Sequence, residues 1–297
     1  MPNDSRNFFS CVLRRDCLAW LAALSAGSRV FAQGSTVSTG SDPNNIVFGM
    51  VPYLPTQQLV RLFEPVVTLF ERTLSKPSRL ASAPDFEQFI ERARRGEFDL
   101  VGASPHVARI LHREAGFLPL VRATAPLEPL LIVPHDSPIK RLQDLKQQAL
   151  LVADPFAVHV LITLREMRDQ GLVPGRDFKL ITAGTQRNGV QRMLKGDAAA
   201  AVGSASTLGT LPAELSSRFR VLLRAPKGLT PMAYLAHPRL QPQVERLKQA
   251  MLALAPSPEG QAMLKATQQE GLVSLTEAEL RGFEPLVVEF YKQRGAS

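Results

Sequence analysis

Cysteine is almost missing from this chain of 297 residues; there are two, Cys11 and Cys17. Beyond them no disulfide and no cysteine zinc site can form. Enzyme signatures are missing too. No Gly-x-Ser-x-Gly, no His-Glu-x-x-His and no glycine-rich loop ending in Lys-Ser/Thr occurs. The histidines His106, His112, His135, His159 and His237 show no metal-ligand spacing, and His106 and His112 fall on different faces of a helix. The expectation is a protein that is not an enzyme, with no cofactor and no metal. Aromatics make up only 6% and the basic residues are scattered, which argues against nucleic acid as a partner.

What is present begins with an export signal over residues 1–32. Arg14-Arg15 precede a short apolar stretch at 17–24, and Val30-Phe31-Ala32 offers small residues where a signal peptidase reads. The stretch is too short to hold the chain in a membrane. The paired arginines fit either the Sec or the twin-arginine route. No lipobox precedes either cysteine. The mature chain is therefore expected in the periplasm, starting at Gln33. The formal charge of +8 falls to +6 once four arginines and two aspartates of the signal are removed, leaving 31 basic and 25 acidic residues. That excess suits a small anionic ligand. Residues 33–45 are rich in Gly, Ser and Thr, without a periodic apolar face, and read as a flexible tether.

From residue 46 the pattern changes. Short β-rich apolar runs at 46–51, 79–83 and 98–103 alternate with helical spacing at 59–74 and 86–95. Strand, helix, strand, helix, strand indicates a parallel sheet covered by helices, with ligands at the carboxyl ends of its strands. Thr56 is placed to cap the first helix, Pro65 to kink or restart it, and Asp85 with Gln88 to form a capping box. A helix is expected at 106–114, strands at 118–121 and 130–133, and then a second round. That round has helices at 139–147, 157–170 and 186–194 and strands at 150–153, 179–182 and 198–203. Closing helices are expected at 244–254 and 280–291. The repeat predicts two similar lobes, each a mainly parallel sheet flanked by helices, joined by a two-strand hinge. Lobe 1 takes residues 46–130 and 230–297, and lobe 2 takes 131–229.

The segments FGMVPYLPTQQL, LFEPVVTLFERTL, APDFEQFIERARRGEFDLVGASP, LLIVPHDSPIKRLQDLKQQALLVADP and GLVSLTEAELRGFEPL resemble the phosphonate/phosphite/phosphate-binding proteins of ABC importers, the PhnD-type branch of the type 2 periplasmic binding proteins. The resemblance spans most of residues 46–290. It implies a solute-binding component that captures a small oxyanion between two lobes, as a monomer, and presents it to an ABC permease. A sensory protein handing its closed state to a receptor kinase is the first alternative. An enzyme on the same fold, like the pyrimidine-precursor synthases, is the second.

Candidate ligand residues follow from the strand ends. Tyr53 and Thr56 follow the first strand, and Ser104 and His106 the third. Asp154 opens the loop Asp154-Pro155-Phe156-Ala157-Val158-His159. The resemblance implies hydroxyl residues where Ala157 and Val158 stand, so weak phosphate and phosphonate binding is expected; His159 could replace one donor. Thr185 and Arg187 open the matching loop of the next unit. A Thr there is a natural cap, and an Arg fork takes an oxyanion in two parallel bonds. Phe86 stands where the resemblance implies Tyr and is read as core.

Overall fold

A computed structural model describes residues 44–226 and 229–295. The export signal expected over 1–32, and all but the last two residues of the tether, lie outside them. The chain starts with strict alternation: β1 (Ile46–Met50), α1 (Thr56–Leu62), α2 (Glu64–Leu74), β2 (Ser78–Ala81), α3 (Phe86–Arg94), β3 (Leu100–Ala103), α4 (Pro105–Ala115) and β4 (Leu118–Ala123). It crosses to a second unit of β5 (Pro129–Pro134), β6 (Ala149–Val152), α5 (Val158–Asp169), β7 (Lys179–Thr182), α6 (Gln186–Leu194), β8 (Ala200–Ser204), α7 (Ala205–Leu208), α8 (Ala213–Ser216) and β9 (Phe219–Arg224). It returns as β10 (Ala233–Ala236), α9 (Val244–Leu254), α10 (Pro258–Thr267), β11 (Leu272–Ser274), α11 (Glu277–Gly282) and α12 (Glu284–Arg294).

Two sheets result, in the orders β11-β4-β10-β3-β1-β2 and β7-β6-β8-β5-β9. Both are mixed. β1 pairs parallel with β2 and β3, and β6 with β7 and β8. β10 runs against β3 and β4, β11 against β4, and β5 against β8 and β9. The parallel halves are the parts built by alternation. Of the strands that run against their neighbours, β5 and β10 arrive from the other unit, while β11 follows α10 within the first.

Local chemistry explains the boundaries. The apolar run at 59–74 is broken into α1 and α2 because Pro65, lacking an N–H, sits in the first turn of α2. The run at 280–291 is likewise split, with Pro285 in the first turn of α12. Asp85 caps α3 by accepting from the Gln88 amide at 2.7 Å, while Gln88 Nε2 returns to the Asp85 carboxylate at 2.6 Å. Thr56 does not cap α1. Pro55 holds the cap position and its carbonyl takes the Gln58 and Leu59 amides, which leaves Thr56 one residue inside the helix. The helix expected at 139–147 is only a short 3-10 turn at Leu142–Leu145. There the Asp144 carboxylate takes the Lys140 and Arg141 amides, both at 2.9 Å, a local closure that competes with helix.

The first lobe carries the larger core, with Phe48, Phe63, Phe70, Phe89, Phe98, Phe117 and Phe290 fully buried. Gly49 is needed there, since a Cβ would lie 2.6 Å from the Phe98 ring. The two crossovers, 124–128 and 225–232, are tied together. Leu127 N donates to Leu229 O at 2.9 Å, and the Thr230 hydroxyl lies between the carbonyls of Ala123 (2.9 Å) and Met232 (2.8 Å).

Helix α12 belongs to the first lobe and also touches the second. Arg109 and Arg113 hold Glu284 at 2.6 and 2.5 Å, and Glu114 gathers Arg94, Arg113 and Tyr291. Its other face meets α5. Leu286 clusters with Val158 and Ile162, Phe290 lies 5.1 Å from Phe156, and Glu289 pairs with Arg168 at 2.7 Å.

Candidate functional site

β1 and β3 are neighbours, so the loops that follow them share one sheet edge. β6 lies next to both β7 and β8, so their following loops share an edge of the second sheet. The two edges meet where α4 and α5 begin. Ser104 occupies the cap position of α4, and Pro105 fixes the first turn behind it. Ser104 is buried, makes no capping bond, and its Oγ has no partner. His106 is fully buried between the rings of Phe86 (6.2 Å, 25°) and Phe290 (5.7 Å, 30°). Neither ring nitrogen makes a hydrogen bond. Burial pulls its imidazole down to about 3; the nearby Phe156 backbone, across the lobe seam, opposes this only in part. His106 is therefore neutral. Phe86 is buried in the core.

The loop into α5 is shaped by Asp154. Its Oδ1 accepts from Phe156 N at 2.7 Å, and its carbonyl takes the Ala157 amide at 3.1 Å. Ala157 holds the cap position with no side-chain oxygen to offer, and neither α4 nor α5 has an acid in its first turn. The amides of Val158 and His159 are left to point out of the helix end. The Asp154 carboxyl is pushed up, mainly by burial and further by Asp85 and Glu87 from the other lobe, against the opposing Phe156 bond. His159 is buried, its Nε2 is unpartnered, and burial pulls it down to about 4.

Tyr53 is 37% exposed, yet burial pushes its phenol well above the ordinary value. Thr185 caps α6 by accepting from Asn188 N at 3.1 Å. Gln186 reaches across to Ser204 N at 2.7 Å, tying α6 to the end of β8. Arg187 is exposed and has no ion-pair partner among the described residues. Ser104, His106, Asp154 and His159 thus sit at two adjoining helix starts, with Tyr53 on the loop beside them. Thr56, Thr185 and Arg187 are exposed.

Sequence reasoning missed three contributors. Phe156 and Phe290 looked like ordinary apolar residues, although Phe156 carries the second lobe into the first lobe's core. Gln269 is 1% exposed, accepts from Tyr234 Oη at 2.9 Å, and leaves its Nε2 without a partner. A Gln in a QQEG stretch gives no sequence signal for that.

Two cavities lie elsewhere. One of about 570 Å³ is bounded by Asp136, Ser137, Gln148 and Asp197 at the opposite strand ends of the second lobe. One of about 210 Å³ lies on the α5–α12 seam beside Arg165, Arg168 and Lys292. Among the described residues no group of three or more His, Cys, Asp or Glu could hold a metal, and no helix is long and apolar enough to cross a membrane.

A family model described as ABC transporter, phosphonate, periplasmic substrate-binding protein matches residues 48–280. The chain belongs to this family of periplasmic solute-binding components of ABC transporters. No curated protein matches it. Solved structures share its two-lobed type 2 periplasmic binding protein fold. A binding protein component of an ABC phosphonate transporter from Pseudomonas aeruginosa has a TM-score of 0.72 at 16% identity, covering 86% of this chain and 90% of that one. PhnD1 from Prochlorococcus marinus, in complex with methylphosphonate, has 0.73 at 12%, covering 84% and 100%. The alkanesulfonate-binding protein SsuA from Xanthomonas axonopodis pv. citri, bound to MOPS, has 0.57 at 18%, covering 86% and 96%. At such identities the likeness is one of fold.

Proposed function

We propose that the protein holds a small singly charged oxyanion, a phosphonate monoanion or a sulfonate, between its lobes and delivers it to an ABC permease. One observation carries this reading. The N-termini of α4 and α5 adjoin at a buried seam, with Ser104 Oγ and His159 Nε2 lacking protein partners. Each helix start is worth about half a positive charge. Two together match a single negative charge, and no lysine or arginine is buried there to balance a second. Ser104, His106, His159 and the α5 amides form the cradle, with Asp154 shaping its loop. Tyr53, Thr56, Thr185 and Arg187 line its rim, with Arg187 exposed there.

The lobes are residues 46–123 with 233–295, and 129–224, turning about the paired crossovers. The protein works as a monomer in the periplasm, exported by the signal at 1–32 through the Sec or twin-arginine route. It binds no nucleic acid and performs no chemistry on its ligand. The test is titration calorimetry of residues 33–297 with methylphosphonate, methanesulfonate and phosphate. The monoanions are expected to bind more tightly than phosphate, and Ser104→Ala to weaken them. Tighter binding of phosphate, or no heat with any of the three, contradicts the reading.

A further inference from the structure

Phe156 belongs to the second lobe by chain order and to the first by packing. It stands in the loop between β6 and α5, yet its ring is 7% exposed and clusters with the first lobe's core. Phe290 lies 5.1 Å away at 51°. Phe290 in turn tilts against His106, and His106 stacks on Phe86. The row Phe86, His106, Phe290 comes from α3, α4 and α12 of the first lobe, and Phe156 of the second lobe ends it. Aromatic contacts at such spacings gain free energy beyond the area they bury.

The ring is tied closely to the helix start that follows it. Phe156 N donates to Asp154 Oδ1 at 2.7 Å and Ala157 N to Asp154 O at 3.1 Å, so the loop closes on itself just before α5. The amides of Val158 and His159 come next. Behind them Val158 and Ile162, one turn apart, pack on Leu286 of α12, and Leu161 joins the first lobe's core. Anchoring the Phe156 ring therefore fixes where α5 starts relative to α4. A rotation about the crossovers that parts the lobes has to draw the ring off Phe290 and return it to water.

We infer that Phe156 is a positioning residue, an aromatic latch that assembles the two-helix cradle before a ligand arrives. The ligand then meets a largely closed site and does not drive closure alone. A site that is competent in most molecules loses little affinity to a conformational step. The latch itself stands on packing and goes beyond the oxyanion reading; only its effect on affinity rests on that reading.

The experiment measures the distance between two spin labels on residues 33–297 by pulsed electron paramagnetic resonance. The labels sit on cysteines replacing Arg79 in the first lobe and Lys179 in the second, both exposed. Without ligand, one short-distance population is expected to dominate. Phe156→Ala should lower the closed-to-open ratio about tenfold or more, because the open form has already lost the ring contact and only the closed form is penalised. Phe156→Leu keeps an apolar plug and should lower the ratio less; it decides alone if the alanine variant does not fold. Saturating methylphosphonate should return the alanine variant to the short distance, with an affinity reduced in proportion to its closed population. A mainly open distribution in the unsubstituted protein overturns the latch. So does an unchanged distribution in both variants, which would make Phe156 a plain core residue. If the populations shift as expected but neither methylphosphonate nor methanesulfonate binds, the latch stands and the oxyanion reading falls.

Discussion

The ion pair between Arg168 and Glu289 allows the lobe seam to be tested apart from any ligand. Arg168 is on α5 of the second lobe and Glu289 on α12 of the first, at 2.7 Å, with side chains 17% and 3% exposed. Removing one partner of a buried pair costs about 3–5 kcal/mol, because the other charge is left uncompensated. Arg168 keeps some access to water, which brings the expected cost of Glu289→Ala to about 2 kcal/mol. The pair joins the lobes and lies within neither, so the penalty is expected to fall on the closed arrangement. At about 1.4 kcal/mol per tenfold, 2 kcal/mol shifts the closed-to-open ratio roughly 30-fold toward open. Residues 33–297 contain no cysteine. Cysteines placed at exposed Arg79 and Lys179, one per lobe, therefore take dyes uniquely for single-molecule energy transfer. Glu289→Ala should enlarge the open population, and adding Arg168→Met should restore much of the closed one by removing the orphan charge. An unchanged distance distribution with a lowered melting temperature would refute the reasoning, because the pair would then be holding the fold and not the closure.

The other expectations are smaller in scope. His106 and His159 have folded pKa values lowered to about 3 and about 4, so the neutral forms are favoured by folding. Their stability is fully present above the unfolded value of about 6.5 and is lost as pH falls toward those folded values, by roughly 2 kcal/mol per histidine between pH 6.5 and 5. Denaturant melts should show His106→Leu flattening that slope; an unchanged slope contradicts the burial argument. Ala157→Ser with Val158→Ser should raise phosphate affinity by calorimetry, since it adds hydroxyls to a helix start that has none. A ligand at 100 times its dissociation constant stabilises the protein by about 2.7 kcal/mol. Arg187→Ala should remove most of the resulting melting shift and leave the ligand-free melting temperature in place; an undiminished shift would make Arg187 a plain solvated charge.

Much of the framework was legible because it rests on local chemistry. Alternating apolar runs gave β1 to β3 and β6 to β8 nearly to the residue, Asp85 announced its cap, and Pro65 its break. Long-range events were not legible. β9 is a half-exposed edge strand flanked by arginines, β11 has three residues, and both form only because β5 and β4 offer edges. The antiparallel entry of β10 depends on a return from the other lobe, which no window of sequence contains. At the site, the strand ends and helix starts could be named from spacing. That His106 is sealed between Phe86 and Phe290, or that Gln269 is held by Tyr234 and the Ala125 amide, is decided by residues that no local window of sequence contains. Thr56 shows the opposite error: a residue type suited to capping was displaced by the Pro55 carbonyl beside it.

The central claim is that an oxyanion is held at the adjoining starts of α4 and α5, and a crystal structure of residues 33–297 grown with ethylphosphonate tests it most directly, with the phosphorus located by its anomalous signal. The account predicts phosphonate oxygens about 2.7–3.2 Å from Ser104 Oγ and from the Val158 or His159 amides, with the lobes closed over them. Phosphorus found outside the cleft, or a cleft left empty by a protein that binds ethylphosphonate in solution, would contradict it.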